Sequence, residues 1–165
     1  MDSLYNWIVF LHIVGAFAFA LTHGVSAAVA LKLRQERDVP RVQALLDLSN
    51  VATQGMYVGL VILLIGGIIA AFMAGLWGRG WIWTAIVLLV LMIAFMYARA
   101  SRYYGELRRA AGLGWYIPGK GSGSAGAANT ADLGRLLVSS RPIELAVVGA
   151  IGLLVIIWLM VIKPF

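Results

Sequence analysis

The sequence predicts an all-α integral membrane protein, a bundle of four transmembrane helices with both termini on the outer side of the membrane. The first reason is composition: 62% of the 165 residues are hydrophobic and only 12% are charged, whereas roughly a quarter of the residues in a soluble domain are charged. In addition, four apolar stretches are long enough to cross a bilayer, and nearly all Lys and Arg residues lie in two of the connecting segments. We therefore treat residues 1–165 as a single membrane domain.

The four spans are assigned by length, because a helix rises about 1.5 Å per residue and needs roughly 20 apolar residues to cross the hydrocarbon core. Main-chain amides in lipid must be paired within their own segment, so each span should be a helix. The predicted spans are residues 4–31, 51–77, 81–98 and 143–162.

The connecting segments differ in character. Asp38 followed by Pro40 is typical of a helix start, so we expect a short interfacial helix that runs into the second span. The third helix should continue past the membrane to Ala110, because its extension contains no Pro, and Gly112 should end it. Residues 112–140 are rich in Gly, Ser and Ala, which predicts a flexible loop on the cytoplasmic side.

The distribution of positive charge sets the expected orientation. Of the 13 Lys and Arg residues, all but Arg79 and Lys163 lie in the segments after the first and third spans. By the positive-inside rule, these two segments should be cytoplasmic and both termini should lie outside. We therefore expect a multi-pass protein of the cell inner (plasma) membrane, with the lipid bilayer as its main partner.

Two glycine-rich spacings in the loop resemble nucleotide-binding motifs. Gly114 to Lys120 has the spacing of a phosphate loop, but Gly121 stands where a Ser or Thr should hold magnesium. Gly121, Gly123 and Gly126 have a dinucleotide-type spacing. Neither motif follows a predicted strand, so we expect no nucleotide, and the net charge of +6 is explained by membrane orientation without nucleic acid.

His12 and His23 are the only histidines, and both lie in the first span. Eleven residues correspond to about 1100° of helical rotation and about 16.5 Å of rise, so the two side chains share one face at different depths. Small residues such as Gly15 and Ala27 lie on the same face. We expect this face to point into the bundle, against the small-residue face that Gly55 and Gly59 give the second helix.

Two interpretations of the histidines are open. In the first, each is neutral and hydrogen-bonded across the bundle, with Thr53, Gln54, Tyr57 and Thr84 as available partners. In the second, one or both are axial ligands of haem b, and each would need its own iron because they are too far apart to share one. With no third His, the second axial position of such a site would be empty, filled by a Met or supplied by another subunit. The methionines within the helices are Met56, Met73, Met92, Met96 and Met160.

Several short motifs suggest a family. The sequence Leu11-His12-Ile13-Val14-Gly15-Ala16, the basic loop after it, and the last helix from Ser140-Arg141-Pro142 to Lys163-Pro164 together resemble the predicted bacterial integral membrane proteins of unknown-function family 2269. The resemblance covers nearly the whole chain. It implies a multi-pass bacterial membrane protein and no particular activity.

The first helix also resembles, more distantly, the copper-resistance D proteins and the haem-dependent protoporphyrinogen oxidase of bacteria. In the oxidase, a first-helix His is implicated in haem binding together with a Lys deeper in the chain, so the resemblance implies a haem role for His12. This sequence has no Lys in its second to fourth spans before Lys163.

We thus expect a membrane protein that binds haem b through His12 and His23 for redox chemistry in the membrane. The alternative is a structural or accessory subunit without a cofactor, which assembles through small-residue helix faces into a homo-oligomer or a larger membrane complex. Whether the protein is an enzyme stays open at this point. A transporter is disfavoured, because no inverted-repeat pair of broken helices is visible and the one carboxylate in a predicted span, Glu144, lies in its first turn and not at membrane depth.

Overall fold

Four long helices dominate the computed structural model, which describes residues 2–165. Each is long and apolar enough to cross a membrane, so the predicted all-α bundle with four membrane-spanning helices is confirmed. The helices are α1 (Asp2–Leu33), α2 (Val39–Met73), α3 (Gly80–Ala110) and α5 (Arg141–Ile162). A two-stranded hairpin, β1 (Trp115–Ile117) and β2 (Gly121–Gly123), and a short helix, α4 (Thr130–Leu137), lie between α3 and α5.

The bundle is built from two helix pairs. α1 packs along most of α2, α3 packs against α5, and α1 also contacts α5. Successive spans run in opposite directions, so the start of α1 and the end of α5 lie at one end, which we call the terminal end. The opposite end, with the α1–α2 connection and residues 111–140, is the loop end.

The second helix begins where the sequence indicates and ends earlier. The Asp38 side chain caps α2 by accepting a hydrogen bond from the Arg41 amide, and Pro40 lies in its first turn. The predicted interfacial helix and second span are therefore one continuous helix. It ends at Met73 and not at 77, because Gly75 adopts the left-handed conformation (φ 62°) and a 3₁₀ turn, Leu76–Gly78, leads into α3.

Residues 112–140, where the sequence predicts a flexible loop, contain two short strands and a short helix. Antiparallel strands β1 and β2 form a hairpin around Pro118 and Gly119, and Gly119 has the positive φ that this turn requires. Helix α4 is capped by Asn129 and buries Leu133 and Leu137. These elements cover the loop end: α4 shares a hydrophobic core with the end of α3 and the facing ends of α1 and α2, and the hairpin packs on α3.

Tryptophans gather at the terminal end, as an aromatic belt requires, but they do not all face lipid. The indole of Trp83 donates to the Trp77 carbonyl at 3.0 Å. Trp81 is buried in a small core with Ile82 and Leu159. Its role is therefore packing between α3 and α5, whereas Trp83 is exposed at the bundle surface.

Candidate functional site: a cavity beside His23

His12 is held firmly between α1 and α2. Its Nδ1 lies 2.7 Å from the main-chain oxygen of Leu63 on α2, so the ring donates its Nδ1 proton to that carbonyl. The ring lies over Gly67, where an added Cβ would be 2.9 Å from the imidazole. The partner is a carbonyl, and none of the four side chains proposed from the sequence takes this role.

Glycines allow α1 and α2 to approach closely around His12. A Cβ on Gly15 would lie 2.5 Å from the Leu63 nitrogen, and a Cβ on Gly59 would lie 2.7 Å from the Phe19 nitrogen. A Cβ on Gly66 would lie 3.1 Å from the His12 Cα. The predicted packing of the small-residue face of α2 on the histidine face of α1 is confirmed, and it brings main chain against main chain.

His23 has a different neighbour, α5, and its ring nitrogen has no partner. The Nε2 atom is buried and makes no hydrogen bond within residues 2–165. It rests on Gly149, where any Cβ would collide with the ring. On its own helix the imidazole lies parallel to the Phe19 ring, with centroids 6.2 Å apart and an interplanar angle of 2°. Both histidines thus face into the bundle, but they contact different helices.

A cavity of about 320 Å³ lies beside His23, in the loop-end half of the bundle. All four spans line it, and its wall near His23 is apolar, with Phe19 and Leu60. Ser26 also lines it, and its hydroxyl oxygen is buried without a hydrogen-bond partner in the described residues. Two unpartnered polar atoms therefore border one cavity, and this combination is typical of a place where a ligand or water binds.

The cavity opens sideways between α2 and α3. Tyr57 on α2 and Tyr97 on α3 line it, and each is about half exposed, at 51%. In a bilayer, this opening faces the acyl chains of the loop-end leaflet. A flat apolar ligand could enter from the membrane and leave one edge between the two tyrosines.

No protein-family model, curated protein or solved structure matches this chain. The resemblance to unknown-function family 2269 and to the haem-dependent oxidase stays a prediction.

Two of the five methionines within the helices contact the same face of α5 as His23. The methyl carbon of Met96 would lie 3.4 Å from the same Gly149 Cβ position that meets the His23 ring. The Met92 sulfur rests on Gly152, one turn along α5. Both line the cavity, as does Met56 from α2. Met73 and Met160 lie toward the terminal end and line neither of the two cavities described here.

The polar end of the cavity was missed from the sequence. At the loop end it is lined by Asn50, Ser49, Tyr104 and Arg108. The Arg108 guanidinium is held by Asp47 at 3.0 Å and by the Gly114 carbonyl at 2.9 Å. Arg108 is four residues beyond Tyr104, so the sequence predicts that both side chains lie on one face of α3. It does not predict which helix packs against that face.

The glycine-rich spacings lie in the hairpin and in the chain that follows it. Lys120, the last residue of the phosphate-loop spacing, pairs with Glu106 on α3 at 3.1 Å. Gly121 and Gly123 are the ends of β2, and the Gly126 amide donates to the Gly112 carbonyl at 3.1 Å. These residues hold the cover of the loop end on α3 and do not precede a helix in the way that phosphate-binding loops do.

Proposed function

We propose that this protein binds b-type haem in the cavity beside His23, with the His23 imidazole as an axial ligand. One observation carries the proposal: the buried, unpartnered Nε2 of His23 at the wall of a 320 Å³ cavity shared by all four spans. Imidazole nitrogen is a common axial ligand of haem iron. Bound there, haem would supply one-electron redox chemistry within the membrane.

The other residues that line the cavity suit the apolar ring of haem and its charged propionates. The porphyrin is flat and apolar, and the wall near His23 consists of Phe19, Leu60 and methionine side chains. The propionates are anionic, and Arg108 and Tyr104 lie at the loop end of the same cavity. The volume is at the lower end of the range of small-molecule sites, roughly 300–1,000 Å³, and the side opening leaves room for a porphyrin edge.

Met96 is the residue best placed to serve as the second axial ligand. It approaches the Gly149 surface on which the His23 ring rests, and a His–Met pair raises the potential of haem iron. Ligation requires the His23 ring to turn from Gly149 into the cavity. The proposal therefore includes a change in the His23 side-chain rotamer when haem binds.

His12 has a structural role in this proposal. Its ring is hydrogen-bonded to Leu63 and packed on Gly67, and it lines neither of the described cavities. We thus propose one haem per chain, in place of the two sites considered from the sequence. We also propose that both termini lie outside and that the loop end lies in the cytoplasm at a plasma membrane, in which case this haem would lie in the inner leaflet.

The alternative function, an accessory subunit without cofactor, is less well supported. Its small-residue faces would have to contact another protein, yet Gly15, Gly59 and Gly66 are covered by the α1–α2 contact within one chain. The exposed side chains on the spans are mainly large and apolar, which suits lipid. Assembly into a homo-oligomer or a larger complex would have to use those surfaces.

The test is a reduced-minus-oxidised absorption spectrum of the protein purified in detergent from haem-replete cells. We expect Soret and α bands from the unaltered protein and from His12→Leu, and loss of both bands from His23→Leu. Met96→Leu should keep bound haem but shift its reduction potential downward. The two His→Leu variants are matched, since they change the same residue type on the same helix.

Two results would contradict the proposal. The first is a colourless, folded preparation of the unaltered protein from haem-replete cells. The second is loss of the bands from His12→Leu with the bands of His23→Leu intact, provided that both variants show the helical circular dichroism of the unaltered protein.

A further inference from the structure

A second, smaller cavity lies between α3 and α5 at the loop end of the spans. It has a volume of about 120 Å³, and Leu145 separates it from the cavity beside His23. Three arginines from two helices line it. They are Arg99 and Arg102 on α3 and Arg141 at the start of α5.

Positive charge in this cavity is only partly balanced. Among its described lining residues, Glu144 is the single acid. Its carboxylate is 3.9 Å from the Arg99 guanidinium and also accepts a hydrogen bond from the Ser140 hydroxyl at 2.8 Å. Three guanidinium groups around one carboxylate leave a net charge of about +2.

The floor of the cavity is apolar and continuous with the lipid-facing surface. Phe95 and Ala98 on α3 and Leu145 on α5 form it. The Arg99 guanidinium lies 5.8 Å from the centre of the Phe95 ring. The cavity thus joins a cationic rim to an apolar base at the depth where the predicted third span ends and the fourth begins, which is where lipid phosphates lie.

We infer that this cavity binds a phosphate group, carried by an anionic phospholipid of the loop-end leaflet. Arginine is suited to phosphate because its planar guanidinium forms two parallel hydrogen bonds to the oxygens. Basic pockets between transmembrane helices on the cytoplasmic side recognise anionic headgroups by this chemistry. The acyl chains would then follow Phe95 and Leu145 into the bilayer. This inference does not depend on haem at His23.

The test titrates the delipidated full-length protein in detergent with phosphatidylglycerol and, separately, with phosphatidylcholine, and counts bound lipid by native mass spectrometry. We expect phosphatidylglycerol to bind more tightly than phosphatidylcholine. Arg102→Gln/Arg141→Gln should weaken phosphatidylglycerol binding by about twenty-five-fold, at roughly fivefold for each charge. The matched control, Arg37→Gln/Arg135→Gln, removes the same charge at the same end outside the cavity and should change binding less than about twofold.

Glu144→Gln is a variant whose expected result, stronger lipid binding, cannot be produced by a folding defect. It removes the competing carboxylate while leaving an oxygen for Ser140, so phosphatidylglycerol should bind about fivefold more tightly. A misfolded variant would not produce such a gain. A third titration adds inorganic phosphate: competition with the lipid would identify phosphate recognition itself, and lipid binding without competition would identify the lipid as the source of the phosphate.

Three outcomes would overturn the inference. They are equal affinity for the two lipids, equal losses in the two double-arginine variants, and unchanged or weaker lipid binding by Glu144→Gln. Since the haem bands are measured separately, failure here leaves the proposal for His23 unaffected.

Discussion

Each half of the bundle contains one partly buried histidine, and the two side chains have opposite environments. In the terminal half, α1 and α2 touch through their main chains, and His12 donates to the Leu63 carbonyl. In the loop half, the same helix carries His23 beside a cavity, and its Nε2 has no partner in the described residues. The residue type and the helix are the same, so the difference comes from the neighbours.

The neighbours differ mainly in size. Opposite His12, α2 presents Gly66 and Gly67, and the helices approach until a carbonyl lies within hydrogen-bond distance. Toward the loop end, α2 instead presents larger side chains such as Thr53 and Met56, which line the cavity. Small residues let helices approach and leave no space for a ligand, whereas larger ones keep the helices apart. A buried polar atom without a partner costs about 1–3 kcal/mol, so such an atom is more readily explained by a ligand than by packing.

We expect the largest loss of stability from a substitution that forces α1 and α2 apart in the terminal half. Gly15→Leu places a side chain where a Cβ would already be 2.5 Å from the Leu63 nitrogen, and main chain cannot move aside cheaply. We expect the free energy of unfolding to fall by about 3 kcal/mol or more. The measurement is a denaturant titration in mixed micelles followed by circular dichroism.

Gly24→Leu is the matched control on the same helix. Gly24 is exposed, and an added Cβ there meets nothing within 4 Å, so the expected change is less than about 0.5 kcal/mol. If the two variants proved equally stable, the close main-chain contact that distinguishes the terminal half would be absent in solution.

A second prediction concerns the folded cover of the loop half. The Tyr103 hydroxyl donates to the Leu136 carbonyl at 3.1 Å, and burial raises the pKa of Tyr103 to about 12. The neutral phenol is therefore favoured by folding. Its stabilising contribution is complete below pH 10, the usual pKa of tyrosine, and is lost as the pH rises from 10 through 12.

Tyr103→Phe should abolish this alkaline dependence. At pH 8 the variant should be less stable by about 1 kcal/mol, because the hydrogen bond to Leu136 is lost. Between pH 10 and 12 the unaltered protein should lose about 2 kcal/mol relative to the variant. Parallel stability curves for the two proteins across that range would show that Tyr103 is not buried against α4.

The fold was largely predictable from the sequence because membrane spans depend on length and apolar character alone. The inward direction of both histidines also followed from their spacing of eleven residues. The cover of the loop end was missed, although Asn129 and Asp132 form a helix start before Leu133, and Pro118-Gly119 is typical of a turn. The glycine-rich composition of this segment favours a flexible loop, and these short local patterns oppose it with only a few residues each.

The immediate surroundings of each histidine were not predictable. His12 bonds to a main-chain carbonyl, and every residue of α2 offers one, so the sequence favours no particular partner. His23 contacts α5, a helix about 120 residues further along the chain, and its neighbour Gly149 has no side chain to suggest an interaction. Which helices stand side by side depends on the packing of the whole bundle, and no single periodicity contains that information.

The smallest effect tests the contrast between the histidines directly, in protein from haem-depleted cells. His12→Leu removes the hydrogen bond to Leu63 and should lower the free energy of unfolding by about 1 kcal/mol. His23→Leu replaces an unpartnered nitrogen by an apolar group of similar volume, so stability should stay unchanged or rise slightly. The same denaturant titration measures both variants. Equal losses would mean that the His23 nitrogen has a hydrogen-bond partner within the bundle. It would then no longer be a reason to expect a ligand in the cavity.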